Sequence, residues 1–188
     1  MPTTATPFGL RPVLSESGTI RPEAQSIASA YNTSILQYAP VKIGTNGTIE
    51  LAAAGERCIG VFMGCSYIDV SGRPIVSNQW VANTAALTGT VIDCWVTREP
   101  SIVYEIQSAG SVVQADVGSQ ADWGTATAGS TTTGLSTMSM STTMTNSGSA
   151  GLRIIGFGTE PNNAIGDTYT NVLVKIAEHQ DVADIVAY

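Results

Sequence analysis

One stretch constrains the fold more than any other: residues 40–67, PVKIGTNGTIELAAAGERCIGVFMGCSY. Val41 and Ile43 alternate with Lys42 and Gly44, and Ile49 and Leu51 alternate with Thr48 and Glu50. Asn46-Gly47 between the two runs is a strong hairpin signal. A loop of Asn46-Gly47 alone would set Ile43 opposite Glu50, mixing apolar and charged side chains on one face. A three-residue loop, Thr45-Asn46-Gly47, instead pairs Ile43 with Ile49 and Val41 with Leu51, and puts Gly47 in the left-handed position. A one-residue slip turns every side chain to the opposite face, so the second register is expected. Gly55-Glu56 then turns the chain into CIGVFM, residues 58–63. That run has no polar alternation and reads as a strand covered on both faces.

The remainder reads as further strands. Residues 31–36 are a candidate strand, and Asp69 to Pro74 (DVSGRP) form a turn before the short β pieces Ile75-Val76 and Trp80-Val81. Strands are expected over 90–97 and 102–107, the latter with Ile102, Tyr104 and Ile106 on one face. Residues 108–111 read as a hairpin turn into Val112-Val113-Gln114. Residues 124–149 are rich in Ser, Thr, Gly and Met and read as a loop, with Leu135, Met138 and Met140 hinting at one short strand. Order resumes at 152–157. A last strand spans 171–176, with Val172, Val174 and Ile176 facing in, and a helical turn is expected within 181–188. The expected fold is all-β and mainly antiparallel, a compact β-barrel or sandwich.

Residues 1–30 read as an extended N-terminal arm to a core of residues 31–188. Pro2, Pro7, Pro12 and Pro22 punctuate it, and prolines lacking an N–H suit an edge or an extended path. Phe8, Leu10 and Val13 are apolar anchors, and Arg11 suits a bidentate contact to a carboxylate. Such a segment lies either on a partner or along its own domain. The partner-binding reading names Phe8, Leu10, Arg11 and Val13, and expects the core to fold without them.

Chemistry is sparse. Net charge is −7 with charged residues at 12%, which argues against nucleic acid as a partner. No stretch reaches membrane-spanning length, and the opening MPTTATPFGLRPV has neither a basic leader nor an apolar run, so no membrane partner or secretory leader is expected. Cys58, Cys65 and Cys94 are odd in number, form no CxxC pair, and read as buried free thiols. His179 is the one histidine, and no GxSxG elbow accompanies it. Asp93, Glu105, Asp116 and Asp122 are the carboxylates from which an acid/base pair would have to come. Residues 116–122 are loosely calcium-like but lack EF-hand spacing. Trp80, Trp95 and Trp123 would line a sugar cleft only if clustered. The expectation is a non-enzyme without cofactor or metal.

Four segments in consistent order resemble the capsid decoration, or cement, proteins of tailed bacteriophages. They are PFGLRPV at 7–13, GTIELA at 47–52 with GVFMGC at 60–65, QADVG at 114–118, and VLVKIAEHQ at 172–180. The resemblance implies a structural virion protein that binds the outer surface of an icosahedral shell. It further implies a homotrimer holding major capsid protein subunits together, assembled in the bacterial cytoplasm. Unpaired cysteines fit that compartment. A virion fibre or receptor- or glycan-binding adhesion module is the rival reading. It expects clustered aromatics or repeats, and neither is evident.

Overall fold

The computed structural model describes residues 4–145 and 150–182. Its strands in chain order begin with β1 (Arg11–Leu14), β2 (Glu23–Ser26), β3 (Pro40–Ile43), β4 (Ile49–Leu51) and β5 (Gly60–Ile68). Then come β6 (Pro74–Ser77), β7 (Asp93–Thr97), β8 (Val103–Gln107), β9 (Gln120–Trp123) and β10 (Gly129–Ser130). The last are β11 (Leu135–Ser136), β12 (Met140–Thr145), β13 (Leu152–Phe157) and β14 (Asn171–Ile176). The only helical element among the described residues is one 3-10 turn, Gln114–Asp116.

The fold is all-β with two six-stranded antiparallel sheets, and neither closes into a barrel. The first runs β1-β8-β14-β13-β9-β12. The second runs β2-β7-β5-β3-β4, with β6 also on β5; β10 and β11 form a separate ribbon. The hairpin has the expected register: Ile43 faces Ile49 and Val41 faces Leu51. The Gly44 N–H donates to the Thr48 carbonyl at 2.8 Å, and Gly47 sits at φ 73°, so Thr45 to Gly47 make the loop. The β5 run is covered on both faces. Val61 packs into one apolar cluster with Tyr104, Ile106, Trp123, Leu152 and Val174. Phe62 packs into a second cluster with Ile35, Trp80, Cys94 and Val96, on the opposite face of the second sheet.

Strands 152–157 and 171–176 stand where the apolar alternation places them, and Val172, Val174 and Ile176 are buried. Ile102, Tyr104 and Ile106 share the first cluster. Residues 31–36 form no named strand; Ile35 makes one bridge to Trp80. Residues 108–111 close no hairpin. Strand β8 pairs instead with β1 and β14, because 112–114 enters the 3-10 turn. The loop expected at 124–149 holds β10, β11 and β12, and β12 forms an edge of the first sheet. Its side chains are small and polar enough to read as loop, yet Met138 and Met140 are fully buried anchors. The helical turn expected within 181–188 lies, beyond Val182, outside the described residues.

Residues 4–30 do not form an arm apart from the core. Strand β1 is an edge of the first sheet and β2 an edge of the second. Leu10 is fully buried in the first cluster. The physical reason is local. Edge positions tolerate Pro12 without a lost ladder bond, and Leu10 offers the core a side chain that water would not accommodate.

Candidate functional site

The four N-terminal residues singled out from the sequence meet the first sheet in different ways. Leu10 is core. Its N–H donates to the Tyr38 carbonyl at 2.9 Å, and that of Gly9 to the Met138 carbonyl at 3.1 Å. Gly9 has φ 77°, and a Cβ there would lie 2.8 Å from the Tyr38 carbonyl oxygen and 2.9 Å from the Ser136 Cβ. Glycine is therefore required both by its dihedral and by the close approach.

Arg11 makes its ion pairs within the chain. Opposite it on β8 lies Glu105, and the guanidinium binds the Glu105 carboxylate. The same nitrogen lies 3.5 Å from Glu160. The half-buried Phe8 ring stacks against the guanidinium, 4.8 Å from centroid to Cζ. Two residues earlier, the Thr6 N–H donates to the Gln107 side chain at 2.8 Å. Residues 6–11 thus cover the polar outer side of β8, where Glu105 and Gln107 are buried.

Only Val13 remains exposed of the four, and Leu14 beside it is 59% exposed. The β1–β8 register breaks between Pro12 and Leu14. That bulge interrupts the usual in–out alternation, so two successive apolar side chains both face water on an unpaired strand edge.

Glu105 is the main buried charge of the region, with its side chain 4% exposed. One oxygen takes Arg11; the other, Oε1, has no N–H or O–H donor. Glu105 Oε1 and Glu160 Oε2 converge on the space a Cβ at Gly158 would fill, at 2.6 and 2.5 Å from it. Two carboxyls beside one guanidinium oppose each other's ionisation. Burial, and then the Glu160 carboxyl, push the Glu105 acid up from its ordinary value, while the hydrogen bond with Glu105 pulls Glu160 down. Of the two carboxyls, Glu105 is the one whose neutral form the surroundings favour. The pairing joins residues distant in sequence, and Glu160 reads in the sequence only as part of a turn.

The other candidates do not assemble. Among the described residues no group of three His, Cys, Asp or Glu side chains is placed to hold a metal ion. Asp116 instead accepts the Val113 N–H at 2.8 Å, and Asp122 accepts those of Gly151 at 2.8 Å and Gly55 at 3.3 Å. His179 is buried. Its Nδ1 accepts the Asp181 N–H at 3.1 Å, which leaves the proton on Nε2. Burial pushes its pKa below the ordinary histidine value. Trp80 and Trp123 are buried in different clusters, so these two present no common stacking face. A depression of about 740 Å³ is lined by Tyr31, Leu51, Ala53, Ala126 and other mostly small residues. Its carboxylate, Asp122, is committed to backbone N–H groups.

The segments that carry the family resemblance are built into the fold. Residues 7–13 supply Gly9, Leu10 and the β1 edge, and 114–118 supply the 3-10 turn. In 172–180, the Gln180 side-chain amide accepts the Ile43 N–H at 2.7 Å and donates to the Ile43 carbonyl at 3.2 Å, standing in for a strand neighbour of β3. Comparison with protein-family models, with curated proteins and with solved structures finds no match.

Proposed function

We propose that this chain is a structural virion protein that binds the outer surface of an icosahedral phage capsid and stabilises it by bridging major capsid protein subunits. The observation that carries the reading is the β1 edge. Val13 and Leu14 stand out on a strand whose outer edge is unpaired, and Leu10 and the Arg11–Glu105 pair anchor that strand to the sheet. A preorganised edge loses little freedom on docking. The ordered segments resembling decoration proteins support the reading. The contact is narrower than an arm of four anchors: it consists of Val13 and Leu14, with Phe8, Leu10 and Arg11 as their support. Each side chain buried contributes roughly 1.5–3 kcal/mol before ordering costs. A homotrimer would present three such edges to the shell at high effective concentration.

The test is co-sedimentation with undecorated capsid shells of the phage whose genome encodes the chain. The wild-type protein should pellet with shells and raise the temperature at which they break. The double variant Val13→Glu, Leu14→Glu should bind at least about tenfold more weakly with an unchanged circular dichroism spectrum. Equal binding by the variant removes the contact from β1, and failure of the wild type to bind overturns the function. Light scattering should give a trimer; a strict monomer with and without shells would count against bridging.

A further inference from the structure

Strands β5 and β7 bring two of the three cysteines face to face. Cys65 is the direct antiparallel partner of Cys94. The juxtaposition depends on a register break between Phe62 and Gly64. In an unbroken strand Phe62 and Cys65 would point to opposite faces. The extra residue, Met63, restores them to one face, and Phe62–Val96 and Cys65–Cys94 become successive cross-strand pairs in the second cluster. Direct partners in an antiparallel ladder have Cα atoms about 4.5–5.5 Å apart. Disulfides span Cα separations of about 4.4–6.8 Å. Both side chains leave the same face of the sheet, so closure needs only a small approach of the two Cβ atoms. Cys58 is excluded by position: it lies in the first cluster and bridges to His179.

We propose that Cys65 and Cys94 are an oxidisable pair that closes into a disulfide across the second sheet when the protein meets a peroxide, with Cys58 remaining a thiol. In the first step one thiolate attacks a peroxide oxygen. The O–O bond breaks, a sulfenic acid forms and hydroxide leaves, to be protonated to water. In the second step the other thiolate attacks the sulfenyl sulfur. The S–S bond forms, the S–O bond breaks and a second water results. Two thiols lose two electrons and two protons, and one hydrogen peroxide is reduced to two waters. The Cys65 thiol gives up its contact with the Gln79 carbonyl, now at 3.3 Å.

The same burial makes the reaction slow in the intact fold. It pushes the Cys65 thiol up to about 11 and the Cys94 thiol to about 12, so thiolate is scarce at neutral pH. The pair stays reduced in a thiol-buffered cytoplasm and closes on prolonged exposure outside it. The bond would tie the centre of the second sheet to the strand beside it.

The experiment uses the folded, full-length chain. It is incubated with hydrogen peroxide at about pH 7 and about pH 9, then unfolded in N-ethylmaleimide, digested and weighed. The expected product has lost two hydrogens, contains a cross-linked Cys65–Cys94 peptide, and carries one blocked thiol, at Cys58. It forms at least tenfold faster at the higher pH. Its thermal midpoint rises by roughly 5 °C or more, and a thiol reductant reverses the rise. Cys58→Ser should still form the cross-link, and Cys94→Ser should not. Three blocked thiols after long exposure, a cross-link through Cys58, or oxidation of both residues to sulfinic acids would each overturn the proposal. Because the wild-type chain supplies the main readout, poor folding of a variant does not remove the test.

Discussion

At the scale of single residues, the groups that matter most serve the fold. Gly9→Ala would force a Cβ into a positive-φ backbone and into the Tyr38 carbonyl and Ser136. It should cost about 2–4 kcal/mol in chemical denaturation; a loss under ~0.5 kcal/mol would show that the surroundings yield. Glu105 and His179 shape the pH dependence with opposite signs. The folded pKa of Glu105 is raised, so its contribution is full below the ordinary glutamate value and is lost as pH rises through the folded value. The folded pKa of His179 is lowered, so its contribution is present above the ordinary histidine value and is lost as pH falls through the folded value. Glu105→Gln removes the titrating carboxyl while keeping its size and its neighbours. It should hold stability near neutral pH and abolish the loss that accompanies rising pH above the glutamate range. An unfolding profile superimposable on wild type from weakly acid to alkaline pH would refute the raised Glu105 pKa as a source of pH dependence.

At the scale of elements, β1 is the strand whose assignment changes most. Removing residues 1–22 deletes β1, takes Leu10 out of the first cluster, and leaves Glu105 buried without Arg11. Losing a buried leucine costs about 2–5 kcal/mol, and leaving the buried Glu105 carboxyl without its Arg11 partner adds further loss. The truncated chain should therefore unfold at much lower denaturant than the full chain or fail to fold, in contrast to an arm that can be cut away. A truncation with an unchanged unfolding midpoint would show β1 to be dispensable. The hairpin β3–β4 behaves oppositely. Its register follows from alternation and one glycine, so local sequence suffices. Strand β12 lies between these cases: Met138 and Met140 hint at it, but Ser and Thr elsewhere in the stretch carry no apolar period.

At the scale of the whole molecule, β5 is the hub. It pairs with β3, β6 and β7 and carries side chains into both apolar clusters. Amides that open only with global unfolding exchange slowest. Hydrogen exchange should therefore be slowest at Val61 and Phe62, whose side chains are fully buried, and fast in the β10–β11 ribbon. Comparable rates in the two places would mean that the sheets do not unfold as one cooperative unit around β5. Because both clusters adjoin the second sheet, a disulfide between β5 and β7 would act near the centre of the molecule.

The sequence by itself determined the strand-forming segments with clear period two, the hairpin register, and the doubly buried character of β5. These follow from local rules: side-chain alternation, a left-handed glycine, and the cost of wetting apolar groups. Tertiary structure alone decided the placement of β1 and β2, the strand within the Ser/Thr/Met stretch, the Glu105–Glu160 contact and the meeting of Cys65 with Cys94. Each depends on which distant strand becomes a neighbour, or on a one-residue bulge that reverses facing. A bulge has no period of its own, and the partner that rewards it lies tens of residues away.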